Sequence, residues 1–209
     1  MEDSSTFERI LACGKDCFLK YTFKSAPLRK IVAEAGVTTG AFYGYFSNKE
    51  ELFYALTDET ANGLMTLLNS VASDMDRFPP EEKIFRMCGA YIRRIPEIVD
   101  YLLEHRDAMR LIISCSQGTK YENFFGNLQY SNEKNISQSA SEAGRSDQKI
   151  HPLSFDTMRL LMDGYFSILA KLILGETDRQ TIIRCMSEVA KVYETGILAL
   201  MREGEADDA

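Results

Sequence analysis

The sequence predicts an all-α fold: an N-terminal three-helix helix-turn-helix unit followed by a larger helical domain, about nine helices in all. Three observations carry this expectation. Apolar residues recur at helical spacing along most of the chain, as in Leu52, Phe53, Leu56, Leu64, Leu67, Leu68 and Val71. No strand-like alternation competes with that pattern. Residues 31–52, IVAEAGVTTGAFYGYFSNKEEL, carry turn and capping signals at the spacing of a helix-turn-helix.

The first helix is expected over residues 6–21, with Phe7, Ile10, Leu11, Gly14, Cys17, Phe18 and Tyr21 on one face. Pro27 suits the first turn of a second helix, about 27–34, because its missing N–H is harmless there. Leu28, Ile31 and Val32 give that short helix a buried side. Gly36 then supplies the positive φ that reverses the chain, and Val37 turns inward. Thr38 can cap a third helix, about 38–44, in which Phe42 and Phe46 pack inward. Thr38, Thr39, Tyr43 and Tyr45 are then left facing out. Ser47-Asn48-Lys49-Glu50 reads as a capping box opening a long fourth helix to about Asp76.

Phe78-Pro79-Pro80 is a stop and restart. A helix is expected from Glu81 to about Arg94, interrupted or kinked at Pro96, with further helices at about 97–116 and 121–141. Residues 142–152, polar with Gly and Pro, read as an exposed loop. Two long amphipathic helices close the chain, about 153–174 and 178–203, with Thr177-x-x-Gln180 as a second possible capping box.

Composition narrows the function class. With 45% hydrophobic and 26% charged residues the 209-residue chain can bury a core, which excludes a disordered tail protein. No apolar run approaches the ~18 residues of a membrane span, and the polar, acidic start MEDSSTFERI is unlike a secretory leader. Five cysteines (13, 17, 88, 115, 185) form no CxxC pair, which fits a reducing, cytoplasmic setting. Net charge is −7, yet residues 20–49 hold five basic residues (Lys20, Lys24, Arg29, Lys30, Lys49) against one acid, Glu34. A local positive face on an acidic body suits a modest phosphate footprint on DNA rather than indiscriminate coating.

These residues reach a resemblance. Residues 7–53 are similar to the DNA-binding domain of the tetracycline-repressor (TetR) family of transcriptional regulators. The likeness lies in Ile10 and Phe18, Arg29-Lys30-Ile31-Val32-Ala33, Ala35-Gly36-Val37, Gly40-Ala41-Phe42-Tyr43 and Tyr45-Phe46-Ser47-Asn48-Lys49-Glu50. It implies a helix-turn-helix DNA-binding domain in residues 1–50 and a helical ligand-binding and dimerisation domain in 51–209. It also implies phosphate contacts from Tyr43, Tyr45 and Lys49, base-edge contacts from Thr38, Thr39 and Gly40, and a base or phosphate contact from Arg29. Two positions depart from the family. Pro27 stands where Ser or Thr is usual, and Gly44 leaves one recognition-helix position without a side chain.

One short recognition helix touches few base pairs, so selectivity calls for two copies on a double-stranded, palindromic operator. The expected homodimer interface is the last two helices. One stripe there comprises Ile182, Met186, Val189, Tyr193, Ile197 and Met201, and the other Leu161, Ile168, Leu169, Leu172 and Ile173. Gly164 and Ala170 would allow close approach; the alternative is that both stripes face the chain's own core. A small-molecule effector would bind between helices of the larger domain, with Cys88, Tyr91, Met109, Cys115, Phe124, Phe125, Met162, Tyr165 and Phe166 as candidate lining residues. Ordinary core packing is the competing explanation for each.

His105 and His151 lack metal-ligand spacing, so neither a metal nor another cofactor is expected. Cys13 and Cys17, one turn apart, read as small core residues or as a thiol sensor. No GxSxG, phosphate loop or paired-carboxylate signature suggests an enzyme. The alternative to a ligand-controlled regulator is a helical ligand-binding or protein-interaction module that retains the helix-turn-helix without binding DNA.

Overall fold

A computed structural model describes residues 2–74, 77–78, 80–127, 155–175 and 177–203. Among these the fold is all-α. The helices are α1 (Glu2–Ser25), α2 (Leu28–Glu34), α3 (Thr39–Tyr45), α4 (Lys49–Ser73), α5 (Pro80–Glu104), α6 (Arg106–Ser114), α7 (Phe155–Leu174) and α8 (Arg179–Glu203). Helical backbone also resumes at 124–127. The rest of the helix expected at 121–141 and the loop expected at 142–152 lie outside the described residues.

The chain divides into two compact units, Met1–Gly63 with His105–Phe124, and Leu64–Glu104 with Phe125–Ala209. The first, here termed the head, therefore includes α6 and the loop after it. Its core holds Ile10, Phe18, Ile31, Phe42, Phe46, Leu52, Phe53, Met109, Leu111 and Ile112, all buried. Phe18 and Phe23 both meet the Phe53 ring edge-on, with centroids 5.2 and 5.3 Å away. The rings are thus in the geometry aromatic pairs prefer.

α1 is not one regular helix. Thr22 adopts φ 61°, ψ 163°, a conformation almost confined to glycine. The break releases the Phe23 N–H from the helical ladder, and it donates to the Cys115 carbonyl at 2.8 Å. The Thr22 carbonyl accepts from Ala26 N–H at 3.0 Å, so the chain turns directly toward α2. The loop after α6 is anchored as firmly. Tyr121 Oη donates to Asp58 of α4 at 2.7 Å, and Lys120 Nζ donates to the same carboxylate at 2.8 Å. The Lys120 ammonium also lies 4.1 Å from the Tyr54 ring centroid. These contacts fasten residues 115–124 to α4 within the head.

In the second unit α8 packs along α5 and α7. α5 runs on past Pro96, so of the interruption or kink expected there the interruption is absent. Proline removes one ladder bond and crowds the preceding turn, yet Ile95, Val99 and Leu102 keep one buried face running past it. Tertiary burial outweighs the local penalty, and the break falls instead at His105, φ −102°, ψ 28°. At the start of α8, Arg179 forks onto Asp100 of α5, with Nη2 2.8 Å from Oδ2.

Two caps sit one residue away from their expected places. Asn48, not Ser47, caps α4: its Oδ1 accepts from Glu51 N–H at 2.8 Å, while Glu51 accepts from Ser47 N–H at 2.6 Å. Asp178, not Thr177, caps α8 by accepting from Thr181 N–H at 3.0 Å. Both winners carry a short planar acceptor, and both motifs keep the reach of three residues that a cap needs.

Three residues of the α8 stripe expected at a dimer interface are covered by the chain's own core. Ile182, Met186 and Ile197 are buried within the single chain, as are Leu169 and Ile173 of α7. Tyr193 is half-buried, and a Cβ at Gly164 would lie 2.8 Å from its hydroxyl. The glycine expected to admit a partner helix therefore admits a phenol of the same chain. Large apolar side chains left exposed on these helices are Leu160 (63%), Val192 (70%) and Leu200 (50%).

Candidate nucleic-acid interface

α2 and α3 are joined by a turn that the local sequence dictates. Ala35 ends α2; Gly36, at φ +65°, donates to Ala33 O at 3.1 Å, and Val37 N–H reaches back to Val32 O at 3.2 Å. This is the Schellman arrangement, which satisfies the last carbonyls of a helix and requires a left-handed residue where Gly36 stands. Thr38, extended at φ −80°, ψ 157°, then opens α3, its Oγ1 accepting from Ala41 N–H at 3.1 Å. The expected Gly36 turn and Thr38 cap are both present.

Phe42 and Phe46 anchor α3. Both are buried, with ring centroids 5.6 Å apart, and Phe7 stacks on Phe46 at 5.4 Å. With that side fixed, Thr38, Thr39, Gly40, Ala41, Tyr43 and Gly44 are exposed. Tyr43 is 53% exposed. Tyr45 is half-buried, its ring 6.1 Å from Phe7. The exposed edge begins with small residues, so the backbone can come close to a flat polar surface such as base edges. The Thr38 hydroxyl already accepts a backbone N–H, and its own proton remains available for donation.

Arg29 is exposed on α2, beyond Pro27, which stands at the N-cap position without a side-chain cap. Lys49 is placed differently from the outward reach expected of it. Its ammonium donates to the Ala26 carbonyl at 3.0 Å and lies 4.7 Å from the Phe23 ring centroid. Burial holds its pKa below the ordinary lysine value. Turning Lys49 outward requires breaking both contacts.

The positive face read from residues 20–49 includes a cluster on the same head whose arrangement around Tyr21 sequence reasoning missed. Lys30 Nζ donates to Tyr21 Oη at 2.8 Å, and the Lys30 and Lys20 ammoniums lie 4.8 and 5.5 Å from the Tyr21 ring centroid. Periodicity assigns Tyr21 to the apolar face of α1, and the half-buried ring fits that; the hydroxyl's reach to α2 leaves no periodic signal. The available signal was the run of lysines at 20, 24 and 30.

The residues considered for an effector site fall in both units. Met109, Cys115 and Phe124 are buried in the head, whereas Tyr91, Phe125, Met162, Tyr165 and Phe166 belong to the second unit. The side chain of Cys88 is outside the described residues. Phe125 stacks on Phe166 at 4.9 Å, and Tyr165 meets both Phe166 (5.7 Å) and Tyr193 (5.8 Å) at steep angles. Burial pushes the Tyr165 phenol up to about 12. Tyr91, also raised by burial, directs its hydroxyl toward Leu68 O at 3.4 Å. The structure thus gathers Phe125, Tyr165 and Phe166 into one aromatic group, to which it adds Tyr193.

Thiol chemistry is disfavoured where it was considered. Burial pushes the Cys13 and Cys17 thiols up, as it does Cys115, which lowers the thiolate fraction that reaction with oxidants needs. Among the described residues no group of three His, Cys, Asp or Glu side chains could hold a metal ion. Among them, too, no helix is long and apolar enough to cross a membrane.

Residues 10–56 match the bacterial regulatory proteins of the tetR family. By that match, the likeness to the TetR family is shown for this segment of the chain. That match covers α2, the Gly36 turn and α3 together with parts of α1 and α4. The chain is 26% identical over 96 residues to the uncharacterized HTH-type transcriptional regulator YerO of Bacillus subtilis, spanning 46% of this chain and 33% of YerO. It is 29% identical over 80 residues to the HTH-type transcriptional repressor AcnR of Corynebacterium efficiens, spanning 34% of this chain and 43% of AcnR. The aligned stretches therefore cover less than half the length of these curated relatives.

Among solved structures, the fold is shared with a TetR-like transcriptional regulator from Rhodococcus sp. RHA1 (TM-score 0.53, 19% identity, 91% of this chain and 96% of that one). It is shared also with the transcriptional regulator FadR from Bacillus subtilis, solved in complex with stearoyl-CoA (TM-score 0.54, 14% identity, 91% and 99%). At these identities the likeness concerns the fold.

Proposed function

We propose that the protein is a one-component transcriptional repressor, in which two copies bind a palindromic double-stranded DNA operator and a small-molecule effector alters that binding. The observation that carries this reading is the α3 edge. Thr39, Gly40 and Tyr43 are exposed on a short helix whose opposite side is fixed by buried Phe42 and Phe46. Thr39 and the Gly40 backbone contact base edges, with Thr38 donating its hydroxyl proton beside them. Tyr43, Tyr45 and Arg29 contact phosphates, and Lys49 joins them after leaving the Ala26 carbonyl. Residues 1–50 supply these DNA contacts; residues 51–209 supply effector binding and dimerisation.

Pairing uses the exposed side of the last two helices, Leu160 on α7 and Val192, Gly196 and Leu200 on α8, since the opposite stripe is occupied. The effector is apolar and approaches the aromatic group of Phe125, Tyr165, Phe166 and Tyr193, with Met162 and Tyr91 on the same unit. The stearoyl-CoA held by FadR, with its long acyl chain, supports a ligand with an apolar part for this fold. An effector that prefers the non-binding conformation by about 100-fold shifts each site by roughly 2.7 kcal/mol, enough to release DNA from a dimer. The reading places the protein in the cytoplasm and assigns it no catalytic role.

The test is fluorescence anisotropy with a duplex from the protein's own upstream region and a scrambled duplex, at two salt concentrations. Selective binding that weakens steeply with salt, and is abolished in Tyr43→Ala, is the expected result. A second reading, an interaction module that does not use DNA, draws on the inward placement of Lys49. Equal, negligible affinity for both duplexes would favour it.

A further inference from the structure

We propose that Lys20, Tyr21 and Lys30 form a separate phosphate clamp on the head, gripping the DNA backbone outside the groove read by α3. The inference rests on the DNA-binding reading above and names contacts which that reading does not include. Two ammonium groups from different helices converge on one aromatic ring, at 4.8 and 5.5 Å from its centroid. Such convergence of like charge is unfavourable without a counter-charge nearby. The phenolic oxygen meets part of that need by accepting from Lys30 at 2.8 Å. Glu34, one turn along α2, lies 3.8 Å from the Lys30 ammonium and neutralises only one of the two charges.

An ammonium has three donors, and the Tyr21 hydroxyl uses one of those on Lys30. The pair therefore still presents several N–H groups beside the phenol. Lys20 is exposed, and Lys30 and Tyr21 are half-buried, so the charges are positioned yet open to a ligand. Hydrogen bonding from Lys30, with the charge of both lysines, holds the Tyr21 phenol below its ordinary pKa, consistent with a positive potential at this spot. Duplex DNA presents the fitting partner, a regular row of singly charged phosphates, and this patch lies on the unit that carries α2 and α3.

A clamp of this kind fixes the head on the duplex without reading sequence. Its signature is thermodynamic. The double variant Lys20→Gln/Lys30→Gln, which keeps long side chains and the fold but removes both charges, should weaken binding to upstream and scrambled duplexes by the same factor. The slope of log K against log salt should become shallower by about 0.9 for each phosphate that the protein no longer neutralises. Lys30→Arg should restore part of the slope. Tyr21→Phe, which keeps the ring but removes the acceptor that positions Lys30, should fall between wild type and the double variant. Circular dichroism and the melting midpoint of each variant establish that it is folded.

The outcomes separate the two proposals. Selective wild-type binding with an unchanged slope in the double variant overturns the clamp and leaves the regulator reading intact. A double variant that loses affinity for the upstream duplex alone also overturns it, because the site would then be reading sequence. Wild-type binding without selectivity, with the slope reduced in the double variant, supports the clamp while the regulator reading fails. No binding to either duplex at low salt overturns both.

Discussion

Thr22→Gly should stabilise the protein, although threonine to glycine inside a helical segment ordinarily does the reverse. Thr22 stands at φ 61°, ψ 163°, a region that a β-branched side chain enters only under strain. Backbone strain of this kind amounts to roughly 1–3 kcal/mol. Glycine removes it but enlarges the conformational freedom of the unfolded chain, an opposing effect of about 0.4–1 kcal/mol. The expected net gain is thus about 0.5–2 kcal/mol, or a rise of roughly 2–4 °C in melting midpoint per kcal/mol for a chain of this size. The Phe23 N–H to Cys115 carbonyl bond and the packing of Phe23 on Phe18 and Phe53 should be retained, since neither involves the Thr22 side chain. Urea titration of wild type, Thr22→Gly and Thr22→Ala decides the matter. Alanine keeps the Cβ and should give little or no gain. If glycine lowers the midpoint, or if alanine raises it equally, the strain argument is wrong.

Other perturbations probe different parts of the fold. Gly164→Ala brings a carbon to 2.8 Å from the Tyr193 hydroxyl, the far end of a half-buried side chain that can swing aside, while alanine is favoured over glycine in a helix by about 1 kcal/mol, so stability should be little changed or slightly raised; a clear loss in thermal melts that Tyr193→Phe recovers would show that the phenol is fixed. Tyr121→Phe should lower stability by about 1 kcal/mol in urea titration, because the 2.7 Å bond to Asp58 disappears while Lys120 still pairs the carboxylate. Acid should unfold the protein through Glu51, Asp100 and Asp178. Their folded-state pKa values are held below the ordinary carboxylate range, by the Ser47 N–H, by Arg179 and by the Thr181 N–H respectively. A depressed carboxylate contributes stability above its unfolded pKa and loses it as pH falls through the folded value. Denaturation midpoints should therefore drop on acidification below the usual carboxylate range, with a shallower drop in Asp100→Asn and Asp178→Asn.

Legibility in the sequence tracks how local the physics is. Gly36 and Thr38 could be read because a left-handed turn and a helix cap depend on a few adjacent residues, and both stand as expected. The α4 and α8 caps were displaced by one because two neighbouring side chains could each serve, and the pattern does not rank Ser47 against Asn48 or Thr177 against Asp178. Pro96 misled in the opposite way: a strong local breaker yielded to a buried face that continues on both sides of it. The inward side of Phe42 and Phe46 followed from their spacing, which left the α3 edge exposed.

Features set by distant parts of the chain were not legible. Met109 looked like any apolar residue of the larger domain, but residues 105–124 fold into the head and carry it there. The Thr22 kink depends on a carbonyl far along the chain, at Cys115. Periodicity put Ile182, Met186 and Ile197 on one face without saying which surface would cover it, and the chain's own core does so. Tyr21 belongs with these cases, because its ring obeys the helical pattern while its hydroxyl serves a lysine of the next helix.

A photo-crosslinkable residue placed at position 39, irradiated with a duplex from the upstream region, tests most directly whether α3 meets DNA. Efficient, sequence-dependent crosslinking to bases is expected at position 39, and none from the same residue at position 55, an exposed site along α4. Crosslinking to a protein partner in place of DNA, or equal yields from both positions, would contradict the role given to α3.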